Sequence, residues 1–176
     1  MNFQKRQSFL AQLYTNSILR ENFFQNPQRI SQEYALDSVF CQELLSQEVA
    51  IRFFAQSLLN KRLHILKQLL PKVSPILPNL KEIFEKYAQK PLPAASQKYV
   101  LDAYLFCEFI LKNCSLTKQE HELVSFEKLL KKISLSKQLF FVRLFDYTVQ
   151  KNKLEKQKSY WFFLKIGHRV VFEKWF

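Results

Sequence analysis

The chain contains one glycine, Gly167, in 176 residues. Glycine is the residue that enters φ > 0 without steric cost and lets a backbone approach a ligand closely. A chain almost without it has no G-x-G-x-x-G turn, no phosphate-cradling Walker loop, no strained G-x-S-x-G elbow and no EF-hand loop. Those exclusions remove most nucleotide-binding enzymes and many hydrolases. What remains is a chain whose elements must end on prolines and polar caps. Hydrophobic residues make up 48% and charged residues 24%, a globular balance. A chain of this size buries roughly 70% of its unfolded surface and needs no staples. Composition and motifs give a basic helical domain and name no reaction.

Helical periodicity dominates the first three quarters. Leu10, Leu13, Tyr14 and Ile18 recur at helical spacing. Asn26 before Pro27 reads as a cap followed by the residue best tolerated at the first helical position, and Asp37 caps a further turn through Phe40, Leu44 and Leu45. The longest periodic segment runs from Ser46 to Leu70, with Val49, Phe53, Phe54, Leu58, Leu59, Leu63, Ile65 and Leu69 expected on one buried face and Arg52, Lys61, Arg62 and Lys67 at its edges. Pro71 closes or kinks it, and Pro71, Pro75 and Pro78 mark a tight connector. Helices are expected through Leu80–Tyr87 and Ser96–Asn113. Thr117 to Glu120 has the spacing of a capping box, opening a helix to about Ile133.

The last forty residues change character. Leu139 to Phe145 reads as helix or strand, since a short apolar run does not distinguish them. The run KNKLEKQKS reads as a charged loop or a loosely held helix end, and Gly167 between two aromatic, β-branched runs signals a hairpin. The expected fold is mainly α, a multi-helix orthogonal bundle with a small β-hairpin at the C-terminus. Its organisation is short N-terminal helices over 1–45, a central helical core over 46–133, and a basic aromatic segment over 134–176 packed on the same domain.

The formal net charge is +12, unevenly spread. Residues 51–100 hold nine basic against two acidic residues, a net of +7, and the last 26 hold seven against two, a net of +5; the first fifty are close to neutral. Such regions suggest a polyanionic partner. A lysine-rich, glycine-starved composition from AT-rich coding would give the same charge without a ligand. Cys41, Cys107 and Cys114 are odd in number and form no C-x-x-C pair, so they read as small buried hydrophobes. No two of His64, His121 and His168 stand three to five residues apart, and Glu120 and Glu122 flank His121 on diverging faces of one helical turn. No metal, cofactor or catalytic residue is therefore expected. The first twenty residues lack a continuous apolar stretch and no segment approaches the ~20 apolar residues of a membrane span, so a cytoplasmic chain is expected.

Two constellations carry a binding reading. Arg52, Lys61, Arg62 and Lys67 form a basic stripe suited to acidic side chains of a peptide or subunit, Arg giving oriented contacts and Lys the field. The competing reading has Arg62 paired internally, with Asp102 or Glu127, locking helices together. Trp161, Phe163 and Trp175, interleaved with Lys158, Lys165, Arg169 and Lys174, offer an apolar contact; the same pattern suits core packing, base stacking in a single-stranded nucleic acid, or a membrane surface.

The stretch Ser57 to Pro71, SLLNKRLHILKQLLP, resembles the L-L-x-K-R…P signature of an uncharacterised bacterial helical domain. The likeness continues through Phe84, Tyr87, Ala88, Pro91, Asp102, Ala103, Phe106 and Glu127, covering roughly residues 49–133. That domain is fused to, or encoded beside, multinuclear non-haem iron-dependent oxidative enzymes that modify ribosomally made peptides. The N-terminal FLAQLYTNSILRENFFQNPQRISQEYAL is similar to a helical pattern shared by several small bacterial domains, ring-cleaving dioxygenase small subunits among them. The resemblance implies a partner role. The expected function is a non-enzymatic accessory protein binding a protein or peptide, with a nucleic-acid-binding protein as the alternative; the oligomeric state stays open.

Overall fold

The computed structural model describes the backbone of residues 3–136, 140–146, 148–150, 153–155, 158–166 and 169–175. Side chains are described from Phe3 to Ser136 and, beyond that, for Phe140, Val142–Leu144, Asp146, Lys158 and Tyr160–Leu164. Among the described residues there are eight helices followed by five short strands, so the fold is mainly α with a C-terminal hairpin, as the sequence predicts. The chain divides into two compact units. The first holds residues up to His64 together with Glu85–Leu92, and the second holds Ile65–Phe84 with everything from Pro93 onward.

In the first unit, α1 (Phe3–Thr15), α2 (Ser17–Gln25), α3 (Pro27–Glu33), α4 (Ser38–Ser46) and most of α5 (Glu48–Leu69) follow one another with almost no connecting chain. Polar caps stand where glycine is missing. Asn16 accepts from the Leu19 N–H at 3.0 Å and Asp37 from the Phe40 N–H at 2.9 Å, each satisfying a helix-start donor. Asn26 occupies the cap position before Pro27 but makes no side-chain cap bond. The core unites Phe9, Leu13, Leu19, Phe23, Ile30, Phe40, Leu44 and Ile51, with Phe9 set edge-on to Phe23 at 5.6 Å.

Glycine starvation has a local cost at the end of α3. Ala35 takes φ 50°, the left-handed conformation that reverses the chain, while the Leu36 N–H donates to the Ser31 carbonyl at 2.8 Å. A Cβ in this region costs about 1–2 kcal/mol, part of which glycine returns as unfolded-state entropy. Ala35→Gly is therefore expected to stabilise the protein by about 1 kcal/mol in urea unfolding; a loss of stability would contradict the assigned turn.

The second unit contains the end of α5, the proline connector, α6 (Leu80–Tyr87) as far as Phe84, α7 (Lys98–Asn113), α8 (Lys118–Leu135) and the strands. α5 ends at Leu69, before Pro71. The connector is a packed set of turns: Leu70, Val73 and Leu77 are buried, and the Ser74 N–H donates to the Leu70 carbonyl. α7 and α8 pack together across the short connection 114–117. The predicted capping box is present: Thr117 Oγ1 accepts from the Glu120 N–H, and the Glu120 carboxylate accepts from the Thr117 N–H at 2.8 Å. Glu120 is thereby a structural acid.

β1 (Phe140–Phe145), β4 (Ser159–Ile166) and β5 (Arg169–Trp175) form an antiparallel sheet in the order β1-β4-β5. The ambiguous Leu139–Phe145 run is thus a strand from Phe140, and the Gly167 signal marks the β4-β5 hairpin; Gly167 and His168 themselves lie outside the described residues. One reading needs correction. KNKLEKQKS is neither loop nor helix end over Lys153–Glu155, because β3 there pairs with β2 (Thr148–Gln150), Val149 opposite Leu154. The ladder offers one apolar pair, too little for a hydrophobic pattern to announce it, and backbone pairing sets it instead. One face of the larger sheet is closed by α8, where Phe126 and Ile133 pack with buried Trp161 and Phe163.

Candidate functional site

The second unit buries two groups whose titration is shifted, Cys107 and Glu127. Cys107 on α7 is fully buried, and burial, with the nearby Glu127 charge, pushes its thiol up to about 12, leaving it protonated and a poor nucleophile at neutral pH. Glu127 on α8 is 1% exposed. Its Oε1 accepts from the Lys72 N–H at 3.1 Å, Lys131 Nζ lies 3.8 Å from Oε2, and Oε2 has no hydrogen-bond partner. Burial raises the Glu127 pKa above the usual carboxylate range, against the pull of Lys131 and of the Lys72 N–H and charge. The folded state therefore holds the proton more tightly than the unfolded chain. Its contribution to stability is fully present below the ordinary carboxylate range and is lost as pH rises through the folded pKa. Glu127→Gln keeps an acceptor for Lys72 and removes the buried charge. It is expected to be neutral or stabilising by about 1 kcal/mol at pH 7, with the gain shrinking towards pH 4; pH-resolved urea unfolding checks this, and a gain that grows on acidification would reverse the assignment.

His64 and His121 are exposed, and His168 lies outside the described residues. Among the described residues no three His, Cys, Asp or Glu side chains converge as metal ligands. A shallow depression of about 450 Å³ at the start of α7 is lined by Ser96, Gln97, Lys98, Tyr99, Val100 and Ser134. Its Lys98 ammonium sits over the Tyr99 ring, with no acid–base pair in the lining.

The basic stripe separates into different roles. Arg52 donates to Glu21 Oε1 at 2.6 Å and to Glu48 Oε1 at 2.7 Å, with its guanidinium 5.1 Å from the Phe24 ring centroid. Those hydrogen bonds raise the Arg52 pKa and hold the Glu21 carboxyl below the usual carboxylate range. Arg62 is 8% exposed, donates to the Lys90 carbonyl at 2.9 Å and stacks its guanidinium over Tyr87. Both arginines are engaged inside the first unit. Lys61 and Lys67 are exposed to solvent.

The aromatic candidates sort differently. Trp161 and Phe163 are buried beneath α8, with the Phe126 ring edge-on to Trp161 at 5.1 Å. Trp175, on β5, pairs in register with Tyr160 on β4, and the Trp175 side chain lies outside the described residues. Trp161 and Phe163 are thus core residues of the α8–sheet contact, placed there by strand alternation.

Sequence reasoning misses the surface that α5 leaves open. Val49 and Phe53, expected in the core, are 82% and 78% exposed, and Phe54 is half exposed with its ring against Tyr14. The buried stripe runs instead through Ile51, Ala55, Arg62 and Leu63. In the first turns of α5 apolar side chains surround the helix, so periodicity does not fix its rotation. Ala55, with its small side chain, permits close approach on the buried stripe. Val49 and Phe53, one turn apart, form an apolar step on the exposed face, with Lys61 two turns beyond Phe53. No described helix is long and apolar enough to cross a membrane. Compared with protein-family models, with curated proteins and with solved structures, the chain matches none.

Proposed function

We propose that this chain is a non-enzymatic accessory protein that docks a protein or peptide partner on the exposed face of α5. The observation that carries the reading is the pair Val49 and Phe53, left almost fully open by a helix that has buried its other face. Burying both on a partner contributes about 3–5 kcal/mol before the costs of association. Lys61 and the +7 net charge of residues 51–100 favour an acidic partner, by faster and better oriented encounter. The resemblance over residues 49–133 implies a partner role, and the enzymes beside which that domain is encoded, iron-dependent oxidative peptide-modifying enzymes, are the partner class this reading favours.

The test is purification of the tagged chain from its source cell after nuclease treatment, beside a Val49→Ser, Phe53→Ser variant. The expected result is one stoichiometric polypeptide retained by the native chain and lost by the variant, with helical circular dichroism unchanged. Equal retention by the variant would remove α5 as the site. The net charge of +12 favours the nucleic-acid alternative. Companions that vanish with nuclease, and an affinity that falls steeply with salt through counterion release, would support that alternative instead.

A further inference from the structure

The solvent side of α5 has an order along its length. Val49, Phe53, Gln56, Asn60 and His64 are all exposed and fall at i, i+4, i+7, i+11 and i+15, the kind of row along which one helix receives the side chains of another. The row begins apolar and turns polar. Val49 and Phe53 are followed by two amides, and Gln56 Nε2 donates to Asn60 Oδ1 at 3.1 Å. Lys61 flanks the polar end, exposed and without an ion pair among the described residues. The single acid of α5, Glu48, accepts from Arg52 and lies off the row. An apolar step, a neutral stretch and a cation thus follow one another, with no acid of α5 among them.

We propose that the segment docked on α5 is an acidic amphipathic helix of the partner protein. Its apolar side chains, one turn apart, cover Val49 and Phe53, and its carboxylates stand about two to three turns further along, beside Lys61. The proposal rests on the docking reading above and gives the chemistry of its occupant. Backbone hydrogen bonding selects a helix. The N–H and C=O groups of α5 are bonded within α5, so a segment laid on its side finds no main-chain partners there. A helix satisfies its own backbone and covers the apolar step without stranding polar groups. Spacing agrees, since Lys61 lies eight residues beyond Phe53, about 12 Å along the axis, or two turns and a little more of a helix running beside it.

Charge separates this occupant from others. A second copy of the same row brings no acid to Lys61. A nucleic acid answers the cation but leaves the Val49 side chain facing phosphate and water. Two apolar residues followed by amides make too small a face for a helix lying in a membrane surface. An acidic amphipathic helix meets the step and the cation together, and the +7 net charge of residues 51–100 draws it in. One helix on one face buries less than a standard interface, so a dissociation constant on the order of 10 µM is expected.

The test is fluorescence anisotropy of labelled synthetic peptides of about 18 residues, long enough to hold a helix, titrated with the full chain at low salt. One peptide carries a leucine pair one turn apart and a glutamate cluster two to three turns beyond it. A second has lysines in place of the glutamates, and a third keeps the glutamates but contains prolines that bar a helix. The glutamate peptide is expected to bind about tenfold tighter than either of the others. Lys61→Glu is expected to narrow its advantage over the lysine peptide to about threefold or less. Phe53→Ser, with helical circular dichroism retained, is expected to weaken both helical peptides by about tenfold or more; if it does not fold, Val49→Ser takes its place. Equal affinity for the glutamate and lysine peptides, a preference indifferent to Lys61→Glu, or equal binding of the proline peptide would overturn the acidic helix, while loss on Phe53→Ser would keep α5 as the docking face. Binding indifferent to Phe53→Ser would overturn both. No binding of the glutamate peptide at about 100 µM would overturn the acidic helix and leave the docking reading to the copurified companion. A single-stranded oligonucleotide or anionic vesicles whose binding is lost on Phe53→Ser would overturn it in favour of that ligand.

Discussion

Arg62→Glu is expected to destabilise the protein by ~3 kcal/mol or more, while Lys61→Glu, one residue earlier on α5, changes stability by less than about 0.5 kcal/mol. Arg62 is buried, donates to the Lys90 carbonyl and lies against the Tyr87 ring. Glutamate there removes both interactions, leaves the Lys90 carbonyl without this donor and places an anion where a cation was held. Lys61 projects into solvent, where reversal alters only screened surface charge. Arg62→Lys is expected to fall between them, because an ammonium keeps the charge but loses the planar stack and the fixed donor geometry. Urea unfolding followed by far-UV circular dichroism measures all three. Equal effects at 61 and 62 would contradict the burial of Arg62.

The second large effect is on the sheet. Phe163→Ala is expected to cost about 3–5 kcal/mol, since Phe163 is fully enclosed between the sheet and α8 and its loss leaves a cavity against Phe126 and Ile133. Tyr160→Ala, on the opposite alternation and half exposed, is expected to cost about 1 kcal/mol or less. The contrast tests strand alternation directly: a one-residue slip in register would exchange the two results. Thermal unfolding of the two variants measures it.

These two contrasts also show where the sequence is informative and where it stops. Element ends are legible because each has a local cause: Asp37 and Thr117 bring side-chain acceptors to orphan N–H groups, and Pro71 removes a donor just past Leu69. The β4-β5 hairpin is legible because Gly167 separates two β-prone runs. Facial identity is less legible. Tyr160 to Leu164 are all apolar, so alternation has no polar member to mark the solvent side, and Trp161 and Phe163 read equally as interface or core. Packing under α8 decides between the two parities, and α8 is remote in sequence. The rotation of α5 is hidden for the same reason, with Val49, Ile51, Phe53, Phe54 and Ala55 covering most of the helix circumference. Arg62 is left open by the sequence, as a partner contact or an internal lock, because a guanidinium that meets the Lys90 carbonyl and the Tyr87 ring looks, in sequence, like half of a basic pair.

The charged part of the candidate site shrinks accordingly. Of Arg52, Lys61, Arg62 and Lys67, the two arginines bind groups of their own chain and the two lysines remain exposed. Trp161 and Phe163 are buried, so the proposed docking reading rests its apolar contact on the exposed Val49 and Phe53 instead. A partner would be held by an apolar step and steered by lysines, so affinity should depend on Phe53 more than on salt.

The most direct test of the docking reading is a calorimetric titration of the copurifying polypeptide into the native chain and into Phe53→Ser, each at low and physiological salt. Loss of about 30-fold or more in affinity on Phe53→Ser, with a change of only a few-fold between the two salt concentrations, is the expected result. Affinity unchanged by Phe53→Ser, or governed chiefly by salt, would contradict docking on α5 and return the basic surface to a phosphate-bearing ligand.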